Sequence, residues 1–307
     1  MQACRSPLRD GRWHFQHGPM DLVIQAEGEP VAVARAHEAA WQRFQGLLQE
    51  LVDELPRLRA PVEGACPLRG VVARRMWSAC APYRQNFITP MAAVAGAVAQ
   101  EILGSYEVQG VDRAWVNNGG DIALHLAPGQ SASVGVYADI AALDAAQLRG
   151  GLALDGCIQV HSSMPVRGVA TSGWRGRSQS LGIADSVTVL ARTAAQADAA
   201  ATVVANAVNV QDERIVRQPA HCVRDNSDLG SIPVTVEVPP LPADAVQQAL
   251  QKGLQKAQEL ESAGLIWFAL LTCQGQVACT TASHGVAQLA TAAKKDAVQT
   301  EVGSVFA

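Results

Sequence analysis

Apolar and polar positions alternate in short bursts over the first 30 residues. HFQHG and DLVIQAEG sit between turn residues, so this stretch reads as extended segments. The period then changes. Across residues 31–55, Trp41, Phe44, Leu47, Leu48 and Leu51 recur at helical spacing and predict one long helix. Pro56, Pro61 and Pro67 break the next stretch into an irregular connector. Thr89-Pro90 is expected to open a second helix, with Thr as N-cap and Pro at the first helical position. Its body, MAAVAGAVAQEIL, is built almost wholly of small residues, so Gly96 and the alanines let a neighbouring backbone or a flat ligand come close.

Two strands are expected at residues 113–116 and 122–126. Asn-Asn-Gly-Gly-Asp joins them, and an Asn/Gly connection between apolar runs signals a hairpin. Strand-like segments recur at residues 133–137 and 152–161, and a glycine- and serine-rich loop at residues 168–185. The strand SVTVLA and a third helix over residues 194–208 come next, the helix opened by a Thr193/Gln196 capping box. Beyond Val210 the chain is polar and irregular. It then gives a strand (IPVTVEV), an amphipathic helix over residues 244–260 and a last strand, GLIWFALLTC. There is no internal repeat and no linker. The pattern therefore predicts one main α/β (α+β) domain over residues 1–280, with residues 281–307 a tail of disorder-prone composition.

Composition narrows the function classes. Hydrophobic residues make up 49% of the 307 and aromatic residues only 5%, so the core must be filled by Ala, Val, Leu and Ile. A net charge of −4 with scattered arginines gives no basic surface for nucleic acid. The seven cysteines form no C-x-x-C pair, which fits neither a disulfide framework nor a zinc site. They read as small buried hydrophobes in a reducing compartment. The N-terminus has no apolar signal-type core, and the longest small-apolar run, residues 92–99, is too short for a bilayer. The expectation is a cytoplasmic protein with no membrane partner. The Ala/Gly-rich helices leave a homodimer open.

Three segments have the equipment for chemistry. In Asn117-Asn118-Gly119-Gly120-Asp121, paired glycines permit positive φ and expose backbone amides able to nest an anion, and Asp121 could orient a ribose, a ring nitrogen or a metal-bound water. A plain hairpin turn with a solubilising Asp explains the same letters. The segment GVATSGWRGRS gathers the hydroxyls of Thr171 and Ser172, the backbone of Gly173 and the guanidinia of Arg175 and Arg177. That set suits phosphate or carboxylate. A mobile surface loop is its alternative. In ADAAAT, Asp198 and Thr202 lie one helical turn apart on one face, and Asn206 extends that face. A hard cation such as Mg²⁺ takes oxygen ligands of this kind and keeps waters and substrate phosphates besides. The exposed face of a half-buried helix is the competing explanation. His125 and His161 stand on strands without partner motifs. No nucleophile elbow, Walker loop, zincin helix or dinucleotide fingerprint occurs.

The order GGDI, TSG, SVTV, ADAAAT resembles the C-terminal half of the ApbE superfamily, the FAD:protein FMN transferases. FITPMAAVAG, GVATSG and GRSQSLGIAD resemble a narrower ApbE-like branch, and the likeness covers roughly residues 10–275. The resemblance implies a T-fold-like mixed sheet with packed helices. It makes Asp198 and Thr202 metal ligands for Mg²⁺, with a backbone carbonyl from residues 168–170. Asn118, Gly119, Gly120 and Asp121 would line a flavin or substrate pocket, faced by Thr171, Ser172, Gly173, Arg175 and Arg177. In the transferases the metal polarises the FAD pyrophosphate, and FMN moves to a protein Thr. Two positions depart from that pattern. The small-residue helix has no lysine where the transferases carry A-x-x-K-G, and residues 181–185 lack the histidine and proline of H-I-I-D-P. The implied function is Mg²⁺-dependent handling of a phosphorylated or anionic small molecule, with FAD-to-FMN transfer its named form. The alternative is a ligand-binding or sulfur-metabolism-related protein on the same scaffold without transferase activity.

Overall fold

The computed structural model describes residues 2–136, 156–176 and 178–280. Along the chain run β1 (Cys4–Pro7), β2 (Trp13–His17), β3 (Met20–Gly28), α1 (Pro30–Asp53), the single-turn α2 (Leu55–Leu58), α3 (Val71–Cys80), α4 (Val94–Leu103), β4 (Val111–Asn118) and β5 (Asp121–Leu126). Next are β6 (Ser131–Val136), β7 (Gly156–His161), β8 (Gly168–Ser172), β9 (Ser186–Ala191), α5 (Ala194–Ala207), β10 (Val216–Pro219), α6 (Ala220–Val223), β11 (Pro233–Glu237), α7 (Ala243–Ser262), β12 (Phe268–Cys273) and β13 (Gln276–Cys279). The fold is mixed α/β. It divides into two compact units, neither continuous in sequence: Met1–Gln130, Ser162–Thr171 and Val189–Val203 in the first; Ser131–His161, Ser172–Thr188 and Val204–Ala307 in the second.

In the first unit the strand order is β1-β2-β3-β4-β5-β8, and each neighbouring pair is antiparallel. Helix α1 lays Ala36, Ala40, Phe44, Leu47 and Leu51 against β2 and β3. Phe15 of β2 meets Trp41 and Phe44 with ring centroids 5.2 and 5.5 Å apart, so an aromatic cluster forms where α1 crosses the sheet. Helix α4, with Ala97, Val98, Ala99, Ile102 and Leu103 buried, packs on β4 and β5.

In the second unit β9, β12 and β13 are neighbours in that order, and β6–β7 and β10–β11 form separate antiparallel ribbons. Helix α7 covers β12 and β13. The β12–β13 turn holds Gln274 at φ 45°, an uncommon value for a residue with a side chain. Asp185 Oδ2 accepts from the Gln274 backbone N–H, the Gln274 side chain accepts from Leu241 N–H, and it donates to Pro239 O.

Several expectations need correction. The second helix does not begin at Pro90. Residues Pro90–Ala93 make a 3-10 turn, Thr89 places no side-chain cap, and α4 starts at Val94. The anticipated loop at residues 168–185 begins as strand β8, because Val169 and Gly168 pair with Ile122 and Ala123 of β5. Helix α3 falls inside the proline-rich connector. Its buried Val72, Ala73, Met76, Ala79 and Cys80 keep helical spacing, and its start is fixed from a distance: the Glu54 carboxylate accepts from the Arg69 and Gly70 amides at 2.8 and 2.7 Å. Strands β10 and β13 and helix α6 have no counterpart in the sequence pattern. Tyr137, residues 152–155 of the expected strand, and the tail 281–307 lie outside the described residues.

Candidate functional site

Strand β4 ends in Asn117 and Asn118, and β5 begins with Asp121. Gly119 and Gly120 make the turn between them at φ 67° and 110°, both values that favour glycine. The Asn117 side-chain oxygen accepts from Gly120 N–H at 2.9 Å, an Asx-type closure. The anion nest expected of this turn is therefore reduced, because the Gly120 amide is already engaged. The solubilising role for Asp121 fails too: the residue is only 8% exposed. Its Oδ1 accepts from Thr171 N–H at the end of β8, at 3.3 Å.

Helix α5 enters the same region because two glycines remove the atoms that would hold it away. A Cβ on Gly168 of β8 would lie 2.2 Å from the Thr193 carbonyl carbon and 2.3 Å from Ala194 N. A Cβ on Gly96 of α4 would lie 2.3 Å from Ala194 O. These approaches bring the first turns of α4 and α5 into backbone contact. Asp198 Oδ2 accepts from Gly96 N–H at 2.9 Å, and its carboxylate also takes the Ala95 amide. Helix α4 has no cap of its own, so Asp198 caps it from the neighbouring helix. The capping box that opens α5 is half made: Gln196 N–H donates to Thr193 Oγ1 at 3.3 Å, while Gln196 Oε1 has no partner among the described residues.

Asp121 and Asp198 thereby become electrostatic neighbours. Burial raises the Asp121 carboxyl well above the usual range, the negative charge of Asp198 raises it further, and the Thr171 amide only partly opposes this. Burial raises Asp198 to about 7 against the two amides of α4. Among the described residues no arginine or lysine figures in the charges acting on either acid. Thr202 lies one turn beyond Asp198 on α5 and is half-buried.

Of the residues singled out from sequence, Asn118, Gly119, Gly120, Asp121, Thr171, Asp198 and Thr202 all belong to the first unit. Ser172, Gly173 and Arg175 are counted with the second, and Arg177 lies outside the described residues. Gly173 is buried, and a Cβ there would strike Asp185 O at 2.3 Å. The Trp174 backbone N–H donates to Ala184 O, and the Arg175 guanidinium lies 4.8 Å from the Trp174 ring centroid. Asn206 does not extend a ligand face: its oxygen accepts from Leu181 N–H and Ser180 Oγ. His125 bonds to Val111 O. Sequence reading missed the α4 amides as partners of Asp198. The available signal was Gly96, whose tolerance for a close backbone is used by Ala194 and Asp198.

A match to the family described as AbpE bacteria covers residues 5–279. The chain belongs to this family. It is 38% identical over 149 residues to a UPF0280 protein of Methanothrix thermoacetophila, covering 48% of this chain and 55% of that one. A UPF0280 protein of Methanopyrus kandleri is 36% identical over 207 residues (65% and 75%), and one of Methanosarcina acetivorans 30% over 217 (70% and 78%). The chain thus spans little more than half the length of the first of these relatives. These matches place it in the UPF0280 branch of the ApbE-like superfamily. Among solved structures, the apo flavinyl transferase ApbE of Pseudomonas stutzeri is similar at 13% identity and TM-score 0.44, covering 91% of this chain and 93% of that one. The ApbE protein of Thermotoga maritima is similar at 14% identity and TM-score 0.47, covering 92% and 96%. Among the described residues no helix is long and apolar enough to cross a membrane.

Proposed function

We propose that Asp121, Asp198 and Thr202 hold a divalent cation, Mg²⁺ by chemistry, that serves a phosphorylated or otherwise anionic small molecule. The observation that carries this reading is a pair of desolvated acids, Asp121 buried and Asp198 half-buried, on which no base among the described residues acts. Among the described residues no cluster of three His, Cys, Asp or Glu side chains forms a metal site. Two carboxylates and a hydroxyl nevertheless fit Mg²⁺, which binds through one or two carboxylates and fills its octahedron with water and substrate phosphate. They fit zinc poorly, because nitrogen and sulfur donors are missing.

When bound, the cation would supply Lewis acidity to a phosphoryl oxygen. The chain's own residues do the rest. The α4 amides and the Thr171 amide fix the two carboxylates in place. The Gly119-Gly120 turn leaves open space: a Cβ on Gly120 would meet nothing within 4 Å, so a ligand could lie over it. The family's named chemistry, FAD-to-FMN transfer, is the specific form proposed, and the absence of the transferase lysine from α4 makes flavin retention its sharpest test.

Two measurements decide. In calorimetric titration, wild type should bind Mg²⁺ and Asp198→Ala should lose that binding while keeping its circular dichroism. Unchanged affinity in the variant would remove the metal site. Protein incubated with FAD and Mg²⁺ and then desalted should retain flavin absorbance; a colourless product would remove the flavin form and leave the wider reading.

A further inference from the structure

The two asparagines that end β4 have different tasks. Asn117 turns toward its own hairpin and closes it through Gly120 N–H at 2.9 Å. Asn118, 6% exposed, reaches across to α4: its Nδ2 donates to Ala95 O at 3.1 Å, while its Oδ1 accepts from Asp21 N–H of β3 at 3.4 Å. Ala95 and Gly96 are the residues whose amides hold Asp198. The family resemblance gives Asn118 to a ligand pocket, but both ends of its amide are engaged by the protein.

We infer that Asn118 is a positioning residue that sets the height of the first turn of α4 and, through the amides of Ala95 and Gly96, the orientation of the Asp198 carboxylate. That turn has few side-chain fastenings of its own. Residues 90–93 form only a 3-10 turn, α4 has no side-chain cap of its own, and Gly96 has no side chain to lock it by packing. One short amide fastened to the β3–β4 pair supplies what is missing. The bond ties the end of β4 to the helix start, so Asp198 keeps its place relative to Asp121, which pairs with Asn118 across the hairpin. Partners of this kind hold ligating side chains at the required angle.

The primary test is amide hydrogen exchange of the full-length, metal-free chain, read residue by residue by NMR. Asn118→Ala should speed exchange at Gly96 by about fivefold to tenfold, the scale set by loss of one supporting hydrogen bond. Asn117→Ala should speed exchange at Gly120 and leave Gly96 as it is. If Asn118→Ala does not fold, Asn118→Ser, which cannot reach Ala95 O, is read in the same way. Equal Gly96 protection in wild type and the Asn118 variant overturns the inference. A second arm rests on the metal reading above: Mg²⁺ affinity of the Asn118 variant, folded by circular dichroism, should fall by about 10–100-fold. Wild-type-like affinity in that variant sinks this inference. If wild type itself binds no Mg²⁺, the metal reading falls, and the exchange arm alone decides the role of Asn118.

Discussion

Gly96 should be irreplaceable even by alanine, although it sits in a helix where alanine is the better residue. Exchanging an interior helical glycine for alanine normally gains about 0.5–1 kcal/mol. At Gly96 the new Cβ would stand 2.3 Å from the Ala194 carbonyl oxygen and 2.9 Å from Asp198 Cβ. Carbon and carbonyl oxygen settle at about 3.3–3.6 Å, so α4 must retreat from α5 by about 1 Å. Neither obstacle is a flexible side-chain tip; one is backbone and the other a Cβ on a buried helix. Overpacking of this kind costs about 1–3 kcal/mol. The same retreat stretches the Gly96 N–H to Asp198 Oδ2 bond, now 2.9 Å, beyond useful range. Loss of this bond adds about 1–2 kcal/mol, not fully additive with the first. Set against the helix gain, Gly96→Ala should be destabilising by about 2–4 kcal/mol.

Urea unfolding at neutral pH reads this as a lower midpoint at unchanged slope. Gly46 is the internal control. It lies in α1, and a Cβ there would meet nothing within 4 Å, so Gly46→Ala should stabilise by about 0.5–1 kcal/mol. Opposite signs for the same chemical change would show that backbone approach, not helix propensity, governs Gly96. A Gly96→Ala protein as stable as wild type would refute the reasoning.

The remaining predictions concern charge and capping. In chelator-containing buffer, folded Asp198 keeps its proton to about 7, while the unfolded chain gives it up near the ordinary value of 3.8, so between those values the folded state binds more protons and stability falls as pH rises. Asp198→Asn should flatten that slope, measured as the wild-type-minus-variant difference in unfolding free energy from pH 4 to 8; a difference independent of pH would contradict it. Glu101 behaves in the opposite sense: burial pushes its carboxyl up, but hydrogen bonds from Arg43 and Arg75 at 2.7 and 2.8 Å more than reverse this. Glu101→Gln should therefore cost about 1–3 kcal/mol at pH 7 and progressively less as acid protonates the wild-type group, checked by urea titration at neutral and acidic pH. Glu54→Ala removes the acceptor shared by the Arg69 and Gly70 amides and should cost about 0.5–2 kcal/mol, read by thermal unfolding.

Interaction range separates the parts of the fold that are legible in the sequence from those that are hidden. Helix α1, the β4–β5 hairpin, β9 and α5 are announced by local periodicity and turn chemistry, and each stands where its letters put it. Helix α3 is short, lies between prolines and owes its start to Glu54, 15 residues before Arg69, so no local pattern announces it. Strand β8 reads as a loop because Gly168, Thr171, Ser172 and Gly173 have loop composition. Gly168 is there for the approach of Thr193, a tertiary reason invisible to propensity. Motifs single out the two acids but not their meeting. Nothing in GGD or ADAAAT says that Asp121 and Asp198 share one interior, because their proximity depends on two glycines in other segments.

Among the described residues no base acts on either acid. At Gly96 and Gly168 backbone approaches backbone more closely than any side chain permits, so α4, β8 and the start of α5 meet through main chain. Amides take the place of cations: Gly96 and Ala95 on Asp198, Thr171 on Asp121. An amide brings a partial charge and cannot cancel a full one, so each acid remains costly to ionise beside the other. A lysine in this region would make a closed salt bridge and end the matter. Amides alone fix geometry without compensating the charge that ionisation would create, and a hard cation that displaces the protons and exchanges some of its water for two carboxylates is the species that completes such a balance. An arginine introduced next to the pair, as in Ala95→Arg, should then compete with Mg²⁺ in calorimetry. Undiminished Mg²⁺ binding in that variant would mean that the cation, if bound, lies elsewhere.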